Sequence, residues 1–445
     1  MIFIGIGLGA QTISLEEART LALLNSRSLA KANLNIQNLA LNDKSYNFQY
    51  LPSLSLGGSA SMNLWNAETL VSGTSASTLP TSRSSNPFDS FNIGASASIS
   101  ESITFKSGRG IIEKAINAIA SESARKDAQA EYYSILDSVD NAYYAVLEAM
   151  ASLEADEQSL RNSHASLEIA EIRQSSGMLS PGDYLKALAD NESRENSRNQ
   201  SRRSLNLAIT RLKALTGLNA MPAPEQIDFS GYENLIQRLG TISDEDADVI
   251  YVRFLNLLYT SNPSYAKAGL ADMRAEKNLS MAKLGFAPTF NASFSTGLNY
   301  SYKNGLELSA GRLSLSLNIP VDFWVVANNV DKSRISRESA AIDYVGAAIQ
   351  LETDLQSALI NCFGNAGSIL TSRRSLDYAE KHYEYVTERY RLSQSSVSEL
   401  NEASSLIINS RNNYIKAHYG FLQSLSKLRS LGAIDDEDRL ISLLM

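Results

Sequence analysis

Few residues in this chain have the type and spacing for chemistry. His164, His382 and His418 lie in helical pattern, isolated from one another and from Cys362, so neither a metal site nor a nucleophile with its base emerges. A single cysteine excludes an internal disulfide and a cysteine-based zinc site. Gly5, Gly7 and Gly9 follow no strand and open no helix, so they are not a phosphate loop. What remains is charge at helix ends. Asp244, Glu245, Asp246 and Asp248 read as the solvated start of a helix, and Glu399 and Glu402, three apart, share one helix face. Arg173 and Arg389 stand near helix C-termini, where the dipole favours cations. No enzyme and no cofactor is expected.

The elements that must position these residues are of two kinds. Four runs alternate apolar and polar residues with a period of two. Leu54, Leu56, Ala60, Met62 and Leu64 face one way and Ser53, Ser55, Ser59, Ser61 and Asn63 the other. Phe91, Ile93, Ala95, Ala97, Ile99 and Ile103 alternate with Asn92, Ser96, Ser98, Ser100 and Thr104. In the second half Phe290, Ala292, Phe294, Leu298, Tyr300 and Tyr302 alternate with Asn291, Ser293, Ser295 and Asn299, and Leu313, Leu315, Leu317 and Ile319 with Ser314, Ser316 and Asn318. Each run is long enough to cross a bilayer, which takes about 9–11 tilted strand residues. The neighbouring helices have narrow apolar stripes suited to other helices, which leaves lipid as the simpler cover for the sheet. In lipid no edge stays unpaired, so four strands must close with other copies: eight strands for a dimer, twelve for a trimer. Trp65, Phe105, Tyr300, Tyr302, Phe323 and Trp324 fall near strand ends, at the places of interfacial aromatic girdles or of plain packing.

The second kind is helical. Ser28, Ala30, Lys31, Ala32 and Leu34 recur as Ser264, Ala266, Lys267, Ala268 and Leu270, and Pro52 recurs as Pro288 at the same offset of 236. Arg173, Ser180 and Ala187 recur at an offset of 216 as Arg389, Ser396 and Ala403. The chain therefore reads as a tandem repeat. Residues 12–217 hold a helix, a strand pair over 52–65 and 91–105, and a helical hairpin over 106–216. Residues 249–432 hold a helix, a pair over 289–302 and 306–319, and a hairpin over 325–431. A connector spans 218–248 and a tail 433–445, and residues 66–90, rich in Ser and Thr with Pro80 and Pro87, form a long strand loop. Leu136, Val139, Tyr143, Val146, Met150, Leu153, Leu160 and Leu167 follow one heptad register, with Glu157 and His164 inside it. Leu205, Leu212 and Leu215 lead to a break at Gly217, and Tyr414, Ala417, Phe421, Leu425, Leu428 and Leu431 to one at Gly432.

The 445 residues carry a net charge of −8 with no lysine–arginine cluster, which argues against nucleic acid or an acidic membrane surface as partner. No run of 18 apolar residues provides a helical span. Residues 1–10 resemble the tail of a secretory signal, and Gln11 rather than Cys after Ala10 excludes a lipoprotein anchor there.

Two repeats, a proline-led strand pair in each, and a turn carrying Arg173, Gly177, Ser180, Asp183, Leu185 and Ala187 together resemble the TolC-type outer-membrane efflux proteins over residues 12–432. The second turn carries Arg389, Tyr390, Ser393, Ser396, Glu399, Glu402 and Ala403. The resemblance implies an α+β membrane protein: long antiparallel coiled-coil hairpins in the periplasm, and four β-strands per chain joining a trimeric, 12-stranded outer-membrane β-barrel. It implies a passive exit duct of a tripartite export system, a periplasmic adaptor and an inner-membrane pump as partners, and a tunnel narrowed by Glu399 and Glu402. The resemblance also implies a closed-state link that sets Asp183 opposite Tyr390, and turns at Arg173, Gly177, Ser180, Arg389, Ser393 and Ser396 that an adaptor grips. Ser395 stands where some members place an arginine, and Ser393 where the first turn has glycine, departures that weaken a latch of the familiar kind. The competing reading is a secreted or periplasmic coiled-coil scaffold whose strand pairs pack on each other; detergent dependence separates the two.

Overall fold

The structure, a computed structural model, describes residues 12–48, 53–61, 92–105, 109–220, 223–301 and 305–445. Residues 1–10, the loop 66–90, Pro52, Trp65 and Tyr302 lie outside them. The described residues fall into two units. One takes those of Met1–Ile36, Glu122–Ala271 and Ala340–Met445, the other those of Gln37–Ser121 and Asp272–Ser339.

The second unit is built on one antiparallel sheet. Strands β2 (Ser53–Ser61), β3 (Asn92–Phe105), β5 (Thr289–Ser301) and β6 (Gly305–Asn318) lie in the order β2-β3-β5-β6, which leaves β2 and β6 as edges. The register keeps the two faces apart. Leu56 opposes Ala97, Ala97 opposes Leu298 and Leu298 opposes Leu308, while Ser55 opposes Ser98 and Ser293 opposes Ser314. The hydroxyls of those last two pairs bond across the ladder at 2.6 and 3.0 Å. A bulge between Ser295 and Gly297 shifts the β5–β6 register, and a side chain at Gly297 would strike the Ala97 carbonyl at 2.7 Å. The apolar face is bare within the chain: Leu56 is 78 % and Leu308 75 % exposed, with Leu54, Leu313, Leu315 and Leu317 similar. Tyr300, Phe323 and Trp324 are exposed as well.

The first unit is helical. α1 (Leu15–Asn25) opens on a capping box between Ser14 and Glu17, and α2 (Arg27–Phe48) follows. The hairpins are α3 (Arg109–Ser175) with α4 (Pro181–Thr216), and α8 (Phe323–Arg391) with α9 (Val397–Gly432); residues 37–48 of α2, 109–121 of α3 and 323–339 of α8 are assigned to the second unit. Leu136, Val139, Tyr143 and Val146 of α3 are buried as their heptad spacing requires. Past Met150 the buried side turns instead to Ala155, Asp156, Ser159, Ser163 and Ala170, leaving Leu153, Leu160 and Leu167 half-buried and His164 exposed. Small residues close that stretch, and hydroxyls bind across it, as Ser163 does to Asp190 at 3.2 Å. A seam read from large apolar residues alone does not see such a face. Gly217 ends α4 in the left-handed region, whereas α9 runs through Gly432 and Ala433 takes that role.

The connector contributes to the core. β4 (Ala223–Pro224) pairs in parallel with β1 (Thr12–Ile13), and the Tyr143 hydroxyl lies 2.9 Å from the Ile13 carbonyl and 2.8 Å from that of Glu225. α5 (Glu233–Leu239) buries Leu235, Ile236 and Leu239 in the core that Ala366 and Ile369 share. Asp244, Glu245 and Asp246 form the first turn of α6 (Asp244–Ser261), capped by Ser243, and α7 (Pro263–Lys283) follows. The tail forms α10 (Glu437–Leu444), which buries Leu440 and Leu444. At the centre Asp140 accepts both arms of the Arg19 guanidinium at 2.6 and 2.7 Å and the Ser426 hydroxyl at 2.9 Å. That buried pair is fully hydrogen-bonded, the condition under which desolvation of two charges is offset.

Candidate functional site

The two helical turns gather the residues singled out in the sequence. At the first, Gly177 adopts φ 72; its N–H donates to the Gln174 carbonyl at 3.0 Å and that of Met178 to Arg173 at 2.8 Å. These are the paired bonds of a Schellman ending. The second turn repeats them: Ser393 N–H donates to Tyr390 at 3.0 Å and Gln394 N–H to Arg389 at 2.7 Å, with Ser393 itself at φ 63. A serine thus holds a conformation that glycine holds in the first turn.

Each following helix starts on a serine cap. The Ser180 hydroxyl accepts from the Asp183 N–H at 3.1 Å and Pro181 occupies the first helical position. Ser396 and Glu399 form a reciprocal capping box at 3.1 and 3.3 Å. The Glu399 carboxylate also accepts from the Ser395 hydroxyl, so Ser395 braces this acid without adding charge. Ser395 first and the Ser396 N–H second hold Glu399 below the usual carboxylate range. Glu399 and Glu402 are both exposed, one turn apart.

No hydrogen bond joins Asp183 to Tyr390 among the described residues, although the Asp183 charge acts on the Tyr390 hydroxyl after the larger effect of its burial. Asp183 is occupied by the Ser180 hydroxyl at 2.8 Å and by Lys186 at 3.1 Å, which hold it below the ordinary carboxylate range. Tyr390 meets Arg173 instead, whose Cζ lies 4.5 Å from the ring centre. Arg173 Nη2 donates to the Tyr390 carbonyl and, at 3.1 Å, to that of Arg391. Arg389 bends back on its own turn, donating to the Gln394 carbonyl at 2.7 Å. Beneath the turns Ala170, Ala187, Val386, Tyr390, Val397, Leu400 and Ala403 form a small core of their own. Lys186 reaches Ser398 at 3.4 Å and Arg194 reaches Ser405 at 3.1 Å, tying α4 to α9. Sequence reasoning missed these two cations, since nothing in their spacing marks a partner more than 200 positions away.

Among the described residues no group of His, Cys, Asp and Glu is placed to hold a metal ion, and no helix is long and apolar enough to cross a membrane.

The model of the outer membrane efflux protein family matches residues 18–218 and 254–433. No curated protein matches the chain by sequence. Solved structures do match by fold. The Campylobacter jejuni CmeC outer membrane channel superposes with a TM-score of 0.75 at 15 % identity, over 96 % of this chain and 88 % of that one. The Vibrio cholerae outer membrane protein VceC gives 0.70 at 16 % identity, over 94 % and 96 %. The open state of the Neisseria gonorrhoeae MtrE outer membrane channel gives 0.69 at 16 % identity, over 94 % and 88 %.

Proposed function

The chain belongs to the outer membrane efflux protein family, and from that premise we propose that three copies form a passive exit duct for export across the outer membrane. It is an α+β outer-membrane protein whose helical hairpins lie in the periplasm. One observation carries the duct reading: a four-stranded sheet with a bare apolar face, a face of hydroxyls and amides, and two open edges, β2 and β6. In hydrocarbon the apolar face suits the solvent, but each unpaired edge would cost several kcal/mol per backbone group, so the edges must pair with those of other copies. Three copies supply twelve strands, with the polar face lining the lumen.

The helical unit needs the same copies. On α8, Ile342, Val345 and Ile349 follow a three–four spacing and are 72, 58 and 60 % exposed, an apolar stripe shaped for another helix. No phosphate-binding loop is present in the sequence, so the energy for transport comes from a partner pump, reached through a periplasmic adaptor that grips the turns at Gly177 and Ser393. Glu399 and Glu402 of three chains converge where the tunnel narrows.

The test is mass in detergent together with conductance after reconstitution. A trimer that inserts and conducts is expected. A monomer that stays soluble without detergent would overturn the reading and favour the scaffold.

A further inference from the structure

The polar face of the sheet carries almost no charge. Among the described residues of its four strands the ionisable ones are Glu101, Glu307 and Arg312. Glu101 is in register with Phe294, on an apolar row, so the polar rows hold only Glu307 and Arg312. One row runs Ser53, Ser100, Ser295, Arg312 across the sheet: three serines and one guanidinium. The row of Glu307 runs Gly57, Ser96, Asn299, Glu307, four positions farther along β5, or about 13 Å. That is too far for an ion pair, and Arg312 is exposed. A bulge sets the arginine on this face. Between Arg312, opposite Ser295, and Ser309, opposite Gly297, both Ala310 and Gly311 face the single Thr296. Strict alternation would put Arg312 on the same side as Leu306 and Leu308; the extra residue parts them, so the leucines stay with Tyr300 and Leu298 while Arg312 joins the serines.

We propose that Arg312 of three copies forms a ring inside the barrel that binds multivalent anions, such as solutes bearing several phosphate or carboxylate groups. The inference rests on the duct reading above. Closure joins the β6 edge of one copy to the β2 edge of the next, and Ser53–Ser61 bring no carboxylate to Arg312. Twelve strands about 4.8 Å apart and tilted by about 40° make a barrel roughly 24 Å across, with the three Arg312 backbones about 20 Å from one another. Long side chains reaching inward bring the guanidinium groups to roughly the Debye length of 8–10 Å at physiological salt, so their fields add. One fork in a wide, wet lumen holds a small monovalent anion weakly. An anion with several charged groups meets two or three forks at once, and the second contact is then intramolecular.

Planar-bilayer recordings of the reconstituted full-length protein, with inorganic tripolyphosphate as the probe, test this. Tripolyphosphate should block the wild-type current, and Arg312→Gln should raise the half-blocking concentration roughly tenfold or more, the scale of one charge-assisted hydrogen bond. Arg312→Lys keeps the charge without the fork and should fall between. Glu307→Gln leaves the ring intact and should be blocked at least as readily as wild type. Arg312→Gln blocked like wild type, or a conducting wild type that tripolyphosphate does not block, would overturn the proposal. If Arg312→Gln does not assemble, Ser314→Glu decides: Ser314 is the next residue of β6 on the polar face, a carboxylate there stands beside each guanidinium, and block that stays at the wild-type level overturns the ring equally. A wild type that inserts and does not conduct defeats the duct reading itself and, with it, this inference.

Discussion

Ser393 sits at φ 63, in the left-handed region that costs a residue with a Cβ about 1–2 kcal/mol and glycine almost nothing. Ser393→Gly should therefore stabilise the detergent-solubilised protein by roughly 1 kcal/mol, and Gly177→Ala should destabilise it by a similar amount, both read from denaturant midpoints. His418 supplies a pH dependence. Its ring packs edge-on against Phe229, with centroids 4.7 Å apart, and its Nδ1 lies 3.1 Å from the Tyr414 carbonyl. Burial pushes its pKa below the ordinary 6.5, opposed in part by that carbonyl, so the fold holds the neutral ring. The unfolded chain then binds the extra proton below pH 6.5, which means the contribution is whole above that value and is lost as the pH falls through it toward the depressed pKa. The melting temperature of wild type should drop more between pH 7.5 and 5.5 than that of His418→Gln; parallel curves would refute this.

At the scale of the element, the sheet makes its two faces unequal. Ile99 pairs in register with Leu54 and stands on the exposed apolar face, whereas Ser98 opposes Ser55 on the hydroxyl face. Ile99→Arg places a charge in hydrocarbon at a cost of about 2–4 kcal/mol near the bilayer midplane, while Ser98→Arg reaches water in the lumen. Assembly yield in the membrane fraction should fall for the first and hold for the second. Equal yields would mean that the inside–outside phase is reversed or that no barrel forms.

At the scale of the whole molecule, closure by three copies turns small features of one chain into a ring. If Glu399 and Glu402 of the three copies meet at the narrow end, as proposed, six carboxylates focus a negative potential there, and conductance should be cation-selective. Replacing both by Gln keeps the shape and removes the charge, so selectivity and block by multivalent cations should weaken while the trimer persists. Salt should screen the wild-type preference, since the Debye length falls to about 3 Å at 1 M. On the stripe of α8, Ile342→Asp should dissociate the trimer in detergent while leaving the chain helical by circular dichroism, because Ile342 is exposed within the chain and its burial comes from a neighbour. Trimers that survive that change would place the helix contact elsewhere.

The amino-acid sequence by itself determined what repeats locally. Strict alternation from Leu54 and Ile93 sets strands with two chemically distinct faces, because the side-chain period of a strand is two. The three-residue spacing of Ser180 to Asp183, and of Ser396 to Glu399, is that of a helix N-cap, and Gly177 marks the turn before the first of them. Partners distant along the chain were another matter. That Arg173 grips the carbonyls of Tyr390 and Arg391, while Asp183 turns to Ser180 and Lys186, depends on two helix ends brought together across some 217 residues. The place of α5 and α10 in the core, and the rotation of α3 onto Ala155, Ser159 and Ser163, were equally hidden. A main-chain carbonyl carries no residue signature, and an alanine or serine is buried or exposed according to what packs on it; only the tertiary structure decides either.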